Sequence, residues 1–216
     1  KGLKEGREIR LTNKELEVTR GMTDHVANAS AIIEQGSVRL NHKDTYVNVS
    51  LNGVMPNYPQ TNGIEMVSGR FINKLDIDER RKSVVVHKRT IEMLFGNKDF
   101  DAIGKLVNIS GLAYRIVGVY TSDMNNGNTS SAYLPFSTLH LIYNKGDDVG
   151  SLVFLTQNID TEAQSDAFEK EYRATIGKVK QFEADDRSAI WIRNRFKQFL
   201  QQETGSDLLR TSIWVI

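Results

Sequence analysis

Val47, Val49 and Leu51 alternate with Asn48, Ser50 and Asn52, and this period of two limits the fold more than any other feature of the chain. Apolar side chains at every second position share one face only in an extended strand; a helix would scatter them around its axis. A second apolar-rich run, residues 29–40, lies just upstream, joined to the first by the polar Asn41, His42, Lys43 and Asp44. Residues 29–54 therefore read as a long β-hairpin.

The flanking segments mix helix and strand signals. Thr12 and Glu15 form a capping box opening a helix over 13–20, which Gly21 stops. Pro56, Pro59 and Asn62-Gly63 break the chain after the hairpin, and residues 63–67 read as a helical turn ended by Gly69. The β-branched run SVVV, 83–86, feeds a helix over 88–95 that stops at Gly96. Two strands flank Ser110-Gly111-Leu112, with Val107, Ile109, Tyr114, Ile116 and Val119 as core candidates, and SAYLPF at 131–136 is a further short strand.

Residues 151–157 read as a strand, and Asp160 or Thr161 caps a helix running to Ile176 with Gly177 as its stop. A strand is expected at 180–183. Asp185 and Asp186 suit the positive end of a long exit helix through WIRNRFKQFLQQE, with Ile192, Phe196, Phe199 and Leu200 as its apolar stripe. The expected class is α+β, with a β-rich insertion between two α/β ends.

Composition narrows the functions. Among 216 residues, 28 Lys and Arg stand against 27 Asp and Glu, so no overall charge draws the chain to nucleic acid. Cysteine is absent, which removes thiolate nucleophiles, cysteine-ligated metals and disulfides together. No apolar stretch reaches the 18 residues of a membrane-spanning helix, and the first residues lack the apolar core of a signal peptide. The run SIWVI at 212–216 either finishes a buried strand or helix or is the first turn of a further apolar element.

Catalytic patterns fail one after another. His25, His42, His87 and His140 stand in no ligand-pair spacing and read as surface or satisfied core residues. No serine sits in a G-x-S-x-G elbow, and Gly104-Lys105 has Asp99 and Leu106 where a phosphate loop needs glycine and a hydroxyl. The carboxylates at Asp76, Asp78 and Glu79, at Asp147-Asp148, and at Asp185-Asp186 adjoin basic residues or helix starts and read as solvated faces or caps. The expectation is no catalytic residue, no cofactor and no metal. Asn28, Asn48, Asn108 and Asn128 begin Asn-x-Ser sequences. The polar loop bearing Asp123, Asn125, Asn126 and Asn128 is the candidate mobile or partner-contact segment.

One ordered set of short patterns carries more information than any catalytic template. Gly69-Arg70-Phe71 is followed by Asp76 and Asp78, the Val84-Val85-Val86 strand, Leu94-Phe95-Gly96, Ile103-Gly104-Lys105, Gly111, Ile116-Val117-Gly118-Val119 and Leu134-Pro135. In this order they resemble the periplasmic core domain of MacB-type ABC transporter permeases. The departures, His87-Lys88 for a usual glycine and Ala102 for a usual proline, concern turn geometry.

The resemblance implies a porter-like α/β subdomain from both chain ends, residues 1–68 and 145–207, with an inserted β-rich, sabre-like subdomain at 69–144. Residues 208–216 would begin a second transmembrane helix. It also implies a non-catalytic domain on the periplasmic side of the bacterial inner membrane, tied to the membrane through flanking helices and binding no nucleic acid. Its partners would be an ABC ATPase, fused or separate, a second permease copy, and a periplasmic adaptor with an outer-membrane exit duct. Hinges would fall at Gly69 and at Gly146 and Gly150. Two other readings compete: a regulatory or sensor domain of an ABC-like complex controlling cell-wall enzymes or lipoprotein release, and a soluble hydrolase with a site around Asp123 and His140.

Overall fold

A computed structural model describes residues 9–97, 101–122, 131–194 and 212–215. The chain divides into two compact units, Lys1–Ser30 with Asp147–Ile216, and Ala31–Gly146.

The unit built from both ends combines helices with a small sheet. Helix α1, Asn13–Gly21, starts at the Thr12 capping box, whose Glu15 carboxylate accepts from the Thr12 backbone amide at 2.7 Å. Helix α6, Glu162–Lys180, is capped by Thr161. Strand β8, Ser151–Thr156, pairs antiparallel with β10, Ser212–Val215, which in turn pairs with β9, Arg193–Asn194. Phe154 faces Trp214 across that ladder with ring centroids 6.0 Å apart, and Phe168 and Tyr172 of α6 close the aromatic cluster. All four rings are buried. They form the apolar centre that makes this unit fold as one body.

Three expectations here need correction. Gly177 does not stop α6, which continues to Lys180 and ends at Gln181 in a left-handed conformation, so no strand occupies 180–183. Residues 185–190 form turns instead of a helix start, with Asp186 accepting from the Ser188 amide at 2.9 Å, and Arg193 and Asn194 are extended. Ser212–Val215 is a strand, one of the two readings its apolar run allows, and not the start of a membrane helix that the resemblance implies. Much of the exit-helix stripe, including Phe196, Phe199 and Leu200, lies outside the described residues.

The second unit is a closed ring of strands. It comprises the distal part of β1, Val26–His42, then β2, Thr45–Val54, β7, Ser131–Pro135, β4, Ser83–His87, β6, Leu112–Ser122, and β5, Leu106–Ile109. Each pairs with the next in that circuit, and β5 pairs back to β1 through Leu40↔Ile109 and Asn41↔Asn108. Closure removes the unpaired edges an open sheet would leave. Val47, Val49, Leu51, Leu40, Val107, Ile109, Tyr114 and Ile116 are buried.

This closure explains why the unit boundary departs from expectation. The hairpin at 31–54 supplies two of the six strands, so the unit runs from 31 to 146, where the sequence reading began it at 69. Long-range pairing also decides residues 64–69: they are β3, Ile64–Gly69, antiparallel to β6, and not a helical turn. Four short helices complete the unit: α2, Tyr58–Asn62, α3, Lys74–Asp78, α4, Lys88–Phe95, and α5, Phe136–Ile142. Helix α5 lies on β2, where a Cβ at Gly53 would come within 2.9 Å of Leu139 Cβ.

Candidate functional site

Several buried polar side chains of the ring unit are spent on its own structure. Asp76 is fully buried and accepts from Arg70 Nη2 at 3.1 Å, Ser83 Oγ at 2.9 Å and the Asn73 amide at 3.0 Å. Burial works to raise its pKa, yet the Arg70 guanidinium, the Asn73 amide and the Ser83 hydroxyl together hold it below the ordinary aspartate value. Of the two readings of Asp76, the cap holds, since it is the N3 residue of the Asn73 capping box of α3, and its burial rules out the solvated face. Asp78 and Glu79 pair with Lys74 and Arg81 at the surface.

The four histidines are dispersed. His87 ends β4 and caps α4, its Nδ1 accepting from the Arg89 amide at 3.1 Å while its ring meets Tyr120 edge-on at 5.1 Å. Burial, then the Arg89 charge, lowers its pKa against an opposing pull from Glu92. His42 lies tilted against Phe95 at 4.4 Å, His140 stacks on Phe136 at 5.6 Å, and His25 meets Phe168 at 5.5 Å. Among the described residues, no group of three His, Cys, Asp or Glu side chains is placed to hold a metal. Among the described residues, these side chains cap helices, pair ions and pack rings.

The candidate loop Asp123, Asn125, Asn126 and Asn128 lies outside the described residues. Of the hinge candidates, Gly69 ends β3 at φ +70°, where an added Cβ would meet the Val117 carbonyl at 2.3 Å and Ile103 Cδ1 at 2.7 Å. Gly146 and Gly150 also have positive φ, but they stand where the chain leaves one unit for the other, and a Cβ at Gly146 meets nothing within 4 Å.

Comparison with known proteins places this arrangement in a family. The MacB-like periplasmic core domain family matches residues 4–175, well over half of the chain. The chain belongs to this family. It is 31% identical over 121 residues to the macrolide export ATP-binding/permease protein MacB of Bartonella henselae, covering 55% of this chain and 17% of that protein. With the protein of the same description from Neisseria gonorrhoeae it shares 24% identity over 197 residues, 89% of this chain and 29% of the other. The chain thus spans less than a third of either relative.

Two solved structures share the α+β fold of this MacB-like domain. The periplasmic region of MacB from Actinobacillus actinomycetemcomitans superposes with a TM-score of 0.68 at 18% identity, over 93% of this chain and 88% of that one. The extracellular domain of the ABC-type transporter YknZ from Gram-positive bacteria gives 0.66 at 19% identity, over 81% and 87%. Among the described residues of the MacB-like domain, no helix is long and apolar enough to cross a membrane.

Proposed function

We propose that this MacB-like domain is the non-catalytic, extracytoplasmic part of an ABC transporter permease. It would couple ATP hydrolysis in a cytoplasmic ATPase, fused or separate, through flanking membrane helices to export of a substrate. The observation that carries this reading is the family match across residues 4–175. The buried side-chain contacts agree with it, because Asp76, His87 and Tyr172 each serve packing or capping. The domain would face the periplasm at the inner membrane, with a second permease copy, a periplasmic adaptor and an outer-membrane exit duct as partners.

Motion in such a domain needs residues that absorb backbone rotation. Gly146 and Gly150 are the proposed hinge: both hold positive φ, and the chain passes between units beside them. Gly69 is the less suitable hinge, since the Val117 carbonyl and Ile103 confine it within one unit.

The test is purification of the full-length natural protein from its own membranes. An ABC ATPase activity in the purified material, as a fused domain or a stoichiometric subunit, is the expected result; a protein that purifies without any ATPase would overturn the reading.

A further inference from the structure

The outer face of the strand ring carries an ordered surface that the ring's packing does not use. Strand pairing puts Arg39 opposite Asn48 and Asn41 opposite Tyr46 on β1 and β2. Asn41 in turn stands opposite Asn108 of β5, and Leu106 of β5 opposite Arg115 of β6. Since side chains alternate along a strand, these seven residues share one face, and the intervening Leu40, Val47, Val107 and Tyr114 fill the interior. Tyr46 is 54% exposed and Leu106 53%, two large apolar groups that the fold leaves in water.

We propose that this face, on the second of the two units, binds a carboxylate-bearing surface of a different protein. The composition is that of an interface centre, with tyrosine, leucine, asparagine and two arginines and no carboxylate among the seven. Arg39 is already placed, its Cζ 4.8 Å from the centre of the Tyr46 ring. That contact holds both side chains near one conformation, so less freedom is lost when a partner arrives. Asn108 spends its Oδ1 on the Gly111 amide at 2.9 Å, which leaves its amide hydrogens as donors. Donors and cations without matching carboxylates call for an acceptor-rich, anionic partner. A second copy of this chain fits poorly, because self-pairing would set arginines against arginines.

The inference rests on the permease reading, and the experiment keeps the two apart. A photoreactive benzoylphenylalanine replaces Tyr46 in the full-length protein expressed in its own cells, with a control at Leu141 on α5, also exposed. The expected result is a cross-link at position 46, absent at 141, to a different protein through a segment containing Asp or Glu. The double variant Arg39→Glu, Arg115→Glu should cut its yield at least about tenfold, which corresponds to roughly 1.4 kcal/mol. Both arginines are exposed, and the bond lost from Arg115 to the Gly104 carbonyl is itself exposed, so thermal unfolding of that variant should stay close to the parent. Cross-linking between two copies, to lipid or glycan, with a yield indifferent to the charge reversal, or to nothing at all, would overturn the proposal. In the same cells, a membrane-embedded chain without the cross-link counts against this surface alone, and a chain found only in the soluble fraction counts against the permease reading as well.

Discussion

The hydroxyl groups of Thr19 and Tyr172 lie 2.7 Å apart, buried, across 153 residues of sequence. Thr19 also donates to the Glu15 carbonyl at 2.8 Å, so the tyrosine hydroxyl is the donor to Thr19 Oγ1 and the two bonds run in series from α6 into α1. Lys180 Nζ meets Glu15 Oε2 at 2.9 Å in the same seam. These contacts join the two ends of the chain into one unit.

Tyr172→Phe removes a single hydrogen bond and leaves the ring against Phe154 and Phe168. Thr19 keeps the Glu15 carbonyl, so no donor is orphaned, and the expected loss is about 1 kcal/mol. Tyr172→Ala should cost about 3–5 kcal/mol, because it also empties a buried ring site. Urea unfolding midpoints of the two variants should separate by that margin.

Acid should weaken both units through their buried carboxylates. Burial works to raise the pKa of Asp76 and of Glu15, but Arg70 in the first case and Lys180 with Thr12 in the second bring each net below its ordinary value. A carboxyl whose folded-state pKa is depressed adds stability above its unfolded pKa and loses it as pH falls through the folded one. Stability should therefore drop below about pH 4. Asp76→Asn should lie about 2–4 kcal/mol below the parent at pH 7 and converge with it in acid. Parallel curves from pH 7 to pH 3 would show that Asp76 does not titrate with folding.

Glycines at the β3–β6 crossing should tolerate nothing larger. A Cβ at Gly118 would sit 2.1 Å from the Arg70 carbonyl oxygen, against backbone that cannot swing aside. Gly118→Ala should cost about 3 kcal/mol or more. Gly111→Ala is the control, since that residue has φ +84° but open space around it, and about 1 kcal/mol is expected from the left-handed conformation alone. Thermal melts of the pair compare steric conflict with backbone strain.

The two tryptophans report different surroundings. Trp214 is buried against Phe154, and Trp191 is 68% exposed. Acrylamide should quench part of the emission readily, and Trp191→Phe should leave a blue-shifted, poorly quenched signal. Trp214→Ala should destabilise by about 3–5 kcal/mol. A uniformly quenched spectrum in Trp191→Phe would contradict the burial of Trp214 in the β8–β10 ladder.

Local signals in the sequence were legible where local physics decides. The Thr12 box, the hairpin alternation and the Gly96 stop of α4 all appear as read, Gly96 at φ +69° with its amide on the Glu92 carbonyl. What the sequence hid depends on distant partners. Residues 64–69 carry no clear period, and only pairing with β6 makes them a strand. Gly177 looked like a helix stop, yet α6 runs through it to a left-handed cap at Gln181; the glycine leaves room for the returning chain, whose Phe182 carbonyl stands 2.6 Å from where a Cβ would be.

The same holds for the surface on β1, β2, β5 and β6. The alternation of Tyr46 and Asn48 with buried valines was readable, but their alignment with Leu106, Asn108 and Arg115 follows from ring closure some 60 residues later. Asp76 was legible as a cap or a solvated face; its capping box with Asn73 is local, but nothing in its neighbourhood announces that Arg70 and Ser83 converge on it and bury it.

The decisive measurement is protease access to this domain in the full-length natural protein. Spheroplasts are treated with a protease that cannot cross the membrane, and fragments are followed with an antibody raised against the domain. An extracytoplasmic permease domain is cleaved from outside while membrane-embedded fragments remain with the membrane. A domain protected until the inner membrane is lysed, or recovered whole in the cytoplasmic fraction, would contradict that placement.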